Sequence, residues 1–526
     1  MNKIITLIAA LMMMGNISVF SQLTGNAPTV KTDNGMLEGI NKSGVKVFKG
    51  VPFAAPPVGE LRWKAPQPVK NWNGIRKANK FGPRPMQLRI FEDMNFLSDS
   101  VSEDCLYLNI WTPAKTGKEK LPVLVYFYGG GFVAGSGDEP RYAGESMARQ
   151  GIISITVNYR LGIFGFFAHP ELTKESPHHS SGNYGYLDQA AALKWINENI
   201  EAFGGDSKRI TIAGESAGSI SVSAQMCSPL SRDLIAGVIG SSGSLLGALP
   251  PIPLQVAEKN GLKVAEGVGA KTLKDLRAIS ADSLLEVRGR FVSTLDGYFF
   301  PKAPVEIYAA GEQAHVPALI GWNSSEMGFE YLLGNKAPTV ENFKLVAERI
   351  FGDRAQEIMN AYDVTDDYSV TNAANALASD LFIAFSTWKW TDIQSKTGGK
   401  PVYRYLYLHP RPELAHVSKK LIQKDVKITG AVHSADIEYA MGNLPTNRVF
   451  DWQPEDYEIS DIFQTYYLNF VKTGNPNGLG VIDWPVINNK PVPPVLQMDV
   501  NTSVKMDESL QKRYKLLNEI YFPDKK

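Results

Sequence analysis

Cysteine is nearly absent from this chain: Cys105 and Cys227 are the only two. A disulfide scaffold is thereby excluded as the source of stability, and no Cys/His cluster suggests a metal. A chain of 526 residues does not need such staples, because at this length roughly three-quarters of the unfolded surface is buried on folding. Both cysteines therefore read as small buried hydrophobes. An excess of charge of one sign is missing as well. Lys plus Arg and Asp plus Glu each total 54, for a formal charge of zero. Without a basic stripe, nucleic acid is not an expected partner. Repeats and low-complexity stretches are lacking, and no segment past the N-terminus is long and apolar enough to span a bilayer.

What remains is an ordinary globular composition, 44% hydrophobic and 21% charged, far from the disordered regime. The first 21 residues read as an export signal. Lys3 supplies a positive start, Ile4 to Met14 form a short apolar run, and Val19-Phe20-Ser21 offers a cleavage point before Gln22. Loss of Lys3 leaves 53 basic against 54 acidic residues, a net charge of −1. The expected organisation is a signal peptide over 1–21 and a single domain over 22–526, placing the protein in the periplasm or outside the cell.

Short β-branched runs bounded by Gly, Pro or Asn predict buried parallel strands at Pro122 to Tyr128, Ile152 to Asn158, Arg209 to Ala213 and Val316 to Gly321. Segments of helical period lie between them, such as Tyr186 to Ile200. This alternation points to an α/β fold with a mostly parallel sheet covered by helices on both faces. In such sheets reactive groups gather at the carboxyl ends of the strands.

Gly214-Glu215-Ser216-Ala217-Gly218 fits G-x-S-x-G directly after an apolar strand, and a helix-compatible stretch, Ala217 to Met226, follows. A sharp strand-to-helix turn lifts a serine hydroxyl clear of the sheet, and the helix behind it aims amides at developing negative charge. Ser216 is the expected nucleophile. A second strand runs into Tyr128-Gly129-Gly130-Gly131-Phe132. Bare backbone there suits an oxyanion hole, with Gly130, Gly131 and Ala217 as the donors. A phosphate-cradling loop would continue with Lys-Ser/Thr, which is missing.

These segments resemble the type-B carboxylesterases, a family of the α/β-hydrolase fold that includes the cholinesterases. Phe48 to Trp63 (FKGVPFAAPPVGELRW), Ser102 to Trp111 (SEDCLYLNIW), Asn158 to Gly162 (NYRLG), Gly182 to Gln189 (GNYGYLDQ), Phe203 to Ser219 and Phe470 to Asn477 (FVKTGNPN) follow in the family's order. The resemblance implies a triad in the order Ser, acid, His. It places the acid at Glu326, in Gly321-Trp322-Asn323-Ser324-Ser325-Glu326, although Met327 stands where the family has Gly. Asp296 is the rival acid. The base falls on His433, in Gly430-Ala431-Val432-His433-Ser434-Ala435-Asp436-Ile437. His409 and His416, the other two histidines beyond Glu326, flank Pro-rich sequence and read as solvated. Glu215 and Ser242 resemble supporting groups around the triad, and Arg62 with Glu103 a structural ion pair.

The implied activity is hydrolysis of small to medium, fairly hydrophobic carboxylic esters through an acyl-enzyme, with no cofactor and no metal. Pro85 stands where many relatives carry the disulfide partner of Cys105, so Cys105 is expected to be free. No Trp occurs from Gln87 to Ser102, which argues against choline esters. The apolar stretch after Ser244 is expected to shape the acyl pocket. Two other readings use the same fold: a binding or adhesion module without turnover, and an acyltransferase.

Overall fold

The computed structural model describes residues 27–247, 250–415, 430–488, 490–506 and 508–523. Eleven strands among them form one sheet: β1 (Ile40–Lys42), β2 (Val45–Pro52), β3 (Tyr107–Thr112), β4 (Leu121–Phe127), β5 (Ile153–Val157), β6 (Gly205–Glu215), β7 (Gly237–Ser241), β8 (Ala318–Asn323), β9 (Val402–Tyr407), β10 (Pro494–Met498) and β11 (Ser503–Met506). Their spatial order is β11-β10-β9-β8-β7-β6-β4-β5-β3-β2-β1. The six pairings from β10 across to β5 are parallel, and the four at the two edges are antiparallel. β5, β7 and β8 are buried at every residue. That follows from continuous apolar runs whose side chains meet helices on both faces.

The four expected strands are present as β4, β5, β6 and β8, with ends shifted by one or two residues. β6 is the exception, starting at Gly205 and so running longer than expected. The helices that matter for the site are α1 (Tyr184–Asn199), α2 (Ala217–Cys227), α3 (Asp367–Ser379), α4 (Phe385–Thr397), α5 (Ile437–Met441), α6 (Pro454–Thr473) and α7 (Glu508–Tyr521). A wide π-turn over Asp380–Ala384 joins α3 to α4.

Most of the core packs around the sheet. A second apolar cluster, including Trp322, Phe343, Trp388 and Tyr514, lies among α3, α4, α7 and neighbouring helices. Cys105 and Cys227 are both buried and free. Arg62 and Glu103 form an ion pair at 2.6 Å. The proposed leader, residues 1–21, and His416 lie outside the described residues.

One expectation fails in this frame. His409 is not solvated. It is 8% exposed, with Nε2 at 2.9 Å from Asp456 and Nδ1 at 3.3 Å from Asp499. The flanking prolines that suggested a surface loop instead carry the chain from the end of β9 across the start of α6.

Candidate active site

The strand ends converge on one cluster. β6 turns into α2 at Ser216, which holds φ 54° and ψ −121°, a backbone region that non-glycine residues enter only when their surroundings force them. The turn closes because Gly218 lacks a side chain: a Cβ there would sit 2.0 Å from the Phe127 carbonyl oxygen. The Ser216 amide donates to the Ser241 carbonyl at 2.9 Å, fixing the elbow against β7.

The glycine loop leaves the end of β4 beside this turn. A Cβ on Gly129 would come within 3.2 Å of Ser216 Cβ, so the loop lies against the serine. Gly130 adopts φ 109°, and a Cβ there would strike the Ala134 carbonyl oxygen at 2.3 Å. Among the described residues, no protein acceptor takes the amides of Gly130 and Gly131. Ala217, the first residue of α2, presents its amide at a helix N-terminus, where such groups lack intrahelical partners.

Glu326 follows β8 and His433 follows β9. The imidazole lies between the serine and the acid: His433 Nε2 is 2.9 Å from Ser216 Oγ and Nδ1 is 2.7 Å from Glu326 Oε2. The other carboxylate oxygen of Glu326 accepts from Ser242 Oγ at 2.5 Å and from the Asn323 amide at 2.6 Å. Met327, in the place of a glycine, leaves the acid loop intact because Ser379 Oγ takes up both its amide and its carbonyl. The loops bearing acid and base pair directly, since Ser325 donates to the Ala431 carbonyl and Asn323 Nδ2 to the Val432 carbonyl, both at 2.8 Å.

Asp296, the rival acid, makes none of these contacts. Its buried carboxylate accepts from the amides of Tyr298, Phe299 and Phe300 and so organises its own turn.

Glu215 is buried, and its Oε1 lies 3.3 Å from His433 Nε2, close enough for charge attraction but out of line for a hydrogen bond. Burial pushes its carboxyl up to about 8 against the pull of His433. Burial also works to lower His433, but Glu215 and then Glu326 outweigh it and hold the imidazole up to about 9. The carboxylates beside it thus make the imidazole grip its proton more tightly than a free histidine does.

Several residues around the site escape sequence reasoning. Asp436, buried, accepts from Tyr405 Oη at 3.0 Å and from Asn323 Nδ2 at 3.4 Å; burial first and Glu326 next push its carboxyl up. Arg411 donates to the Ser434 carbonyl at 2.8 Å and to the buried Glu438 at 3.0 Å, pinning the backbone next to His433. Phe382 sets its ring 5.0 Å from the imidazole at an 80° angle. Asp436 lies three residues beyond the histidine and was open to suspicion as a polar residue in a buried stretch. Arg411 and Phe382 carry no local signal.

A constellation of this kind can move a proton from a serine hydroxyl to an imidazole held by a carboxylate. Comparison with known proteins agrees with that chemistry. Residues 26–516 match the model of the Carboxylesterase family. The chain is 37% identical over 394 residues to fumonisin B1 esterase of Sphingopyxis macrogoltabida, covering 72% of this chain and 70% of that protein. It is 35% identical over 500 residues to carboxylesterase 5A of Canis lupus familiaris, covering 88% and 82%. A solved PNB esterase shares 29% identity and superposes with a TM-score of 0.79 over 93% of this chain and 99% of that one, so the architecture is that of an α/β-hydrolase. Taken with the site geometry, these likenesses show that the chain belongs to the carboxylesterase family and is a carboxylic ester hydrolase.

Proposed function

We propose that Ser216, His433 and Glu326 carry the hydrolysis through an acyl-enzyme. His433 takes the Ser216 proton as the hydroxyl attacks the ester carbonyl, then delivers it to the departing alcohol. Glu326 accepts a hydrogen bond from the Nδ1–H, fixes the tautomer and stabilises the imidazolium. The tetrahedral oxyanion is held by the amides of Gly130, Gly131 and Ala217. Water then repeats the sequence on the acyl-enzyme. Glu215 and Ser242 support the pair, the first by its charge beside Nε2 and the second through its bond to Glu326. The observation that carries this reading is the unbroken relay of 2.9 and 2.7 Å from Ser216 through His433 to Glu326.

The acyl group we assign is uncharged and fairly hydrophobic, of small to medium size. Support comes from the apolar stretch that follows Gly243: that glycine lies against the Ser216 carbonyl, and Leu245 and Leu246 just beyond it are buried. We further propose export to the periplasm or beyond, on the charge and apolar run of residues 1–21. The adhesion reading is disfavoured, because a surface module has no use for a serine, imidazole and acid in hydrogen-bonding sequence. Among the described residues, no helix is long and apolar enough to cross a membrane.

A fluorophosphonate reagent tests the mechanism. The expected result is a single mass addition on Ser216 of the folded protein; an unmodified chain, or modification elsewhere, overturns it. A panel of 4-nitrophenyl esters of increasing acyl length then tests the acyl preference, with charged acyl groups expected to be the poorest. N-terminal sequencing of the expressed protein tests cleavage before Gln22.

A further inference from the structure

Phe382 stands on the π-turn between α3 and α4. Such turns add a residue to the helix and recur at functional sites, because the extra residue re-aims side chains that an α-helix would present elsewhere. Here Asp380, Ile383 and Ala384 of the same turn are buried, whereas Leu381 and Phe382 are half-buried. The Phe382 ring lies against the site. It meets the His433 imidazole at 5.0 Å and the Tyr331 ring at 6.1 Å. Tyr331, 55% exposed, extends this row of rings outward from the base.

The turn is rigidly held. Asp380, which begins it, accepts from Tyr362 Oη at 2.7 Å and from Tyr514 Oη of α7 at 2.8 Å. Just before it, Ser379 and Asn375 of α3 bind the backbone of Met327 and Phe329 in the loop that carries Glu326. Acid, base and Phe382 are therefore fixed relative to one another. That matters because a wall discriminates between substrates only if it does not yield.

Resting on the proposed roles of Ser216 and His433, we propose that Phe382 is a specificity-determining residue, forming the wall of the subsite for the leaving alcohol. The reason is chemical. His433 must hand its proton to the alcohol oxygen, so the alcohol portion departs alongside the imidazole, and the ring in contact with that imidazole is the surface it meets. An aromatic wall there favours flat or slender alcohols and excludes bulky branched ones.

Two ester series test this with the purified enzyme. One keeps the acetyl group and varies the alcohol from small to bulky and branched; the other keeps 4-nitrophenol and varies the acyl group. Phe382→Ala is expected to raise the bulky-to-small ratio of kcat/KM in the alcohol series by about tenfold or more, with the acyl-series ratio moving far less. Phe382→Trp should move the alcohol ratio the opposite way, and covers the case in which the alanine variant folds poorly. Equal changes across the alcohol series, or a change confined to the acyl series, overturn the assignment. Fluorophosphonate labelling of each variant separates the two failures. A labelled Ser216 with an unchanged ratio refutes the wall alone, whereas an unlabelled wild type refutes the mechanism beneath it.

Discussion

Two histidines of this protein each face carboxylates, and they do opposite things. His409 is clamped at both ring nitrogens by acids, Asp456 and Asp499. His433 hydrogen-bonds an acid at Nδ1 and a hydroxyl at Nε2, where Glu215 lies 3.3 Å away without forming a hydrogen bond. An imidazole hydrogen-bonded to a carboxylate at each nitrogen is biased toward the charged form, in which no lone pair is left to offer. One accepted on a single side keeps its second nitrogen free to take a proton. Accessibility follows the same division: the His409 side chain is 10% exposed and that of His433 25%, since a base must meet substrate and a clamp need not. Proximity to carboxylates therefore does not identify a catalytic histidine; the partner of the second nitrogen does.

The comparison breaks most decisively at the serine. Ser216→Ala is expected to lower kcat by about six orders of magnitude, measured with 4-nitrophenyl acetate. His409→Gln should still label with fluorophosphonate at Ser216, and a loss of labelling would show that the two histidines are not separate in function. The next effect concerns the acids. Glu326→Gln should cost about four orders of magnitude in kcat, since the histidine loses the partner that sets its tautomer. Asp296→Asn should chiefly lower thermal stability by weakening its turn. A crippled Asp296→Asn beside a mildly affected Glu326→Gln would reverse the assignment.

A smaller shift sharpens the account of His433. Activity requires the neutral imidazole, and the carboxylate of Glu215 favours the charged one. Glu215→Gln should therefore move the acid limb of the kcat/KM profile to lower pH by about one unit. A limb that stays in place, or moves up, would mean that Glu215 does not act on His433 through charge.

The mildest effect belongs to the clamp. His409→Gln should destabilise the fold by about 1.5–3 kcal/mol near neutral pH, the range for hydrogen bonds to charged groups. His409 is raised in the folded protein: burial lowers it, but Asp456 and Asp499 prevail. The clamp's contribution is thus complete below the ordinary imidazole range and fades as pH rises through the raised folded value. Asp456 is lowered, with His409 and Tyr439 outweighing its burial, so its share persists above the ordinary carboxylate range and fades in strong acid. Denaturant melts of wild type and variant should converge at alkaline pH; a gap that widens there would refute the clamp.

The readability of this protein from its sequence follows the range of each interaction. The strand–Ser216–helix turn is local, and its two glycines and apolar strand are adjacent in the chain. The same holds for β4 running into Gly129 to Gly131. By contrast, Met327 broke a family pattern yet altered nothing, because Ser379, 52 residues away, satisfies the loop. His409 was misread because its neighbours in sequence are prolines while its neighbours in space are Asp456 and Asp499. Phe382 was passed over because an aromatic residue on a helix ordinarily joins the core.

By itself the sequence determined the parallel α/β character, the serine elbow and the glycine loop, since each depends on hydrophobic period and backbone sterics within a few residues. Resemblance, not spacing, pointed to Glu326 and His433. Only the tertiary structure decided that these two meet across 107 residues and that His433 reaches Ser216 across 217, while Asp296 and His409 are occupied elsewhere. The reason is that a proton relay depends on distances of about 3 Å between side chains, and those distances are set by which strands the sheet places side by side.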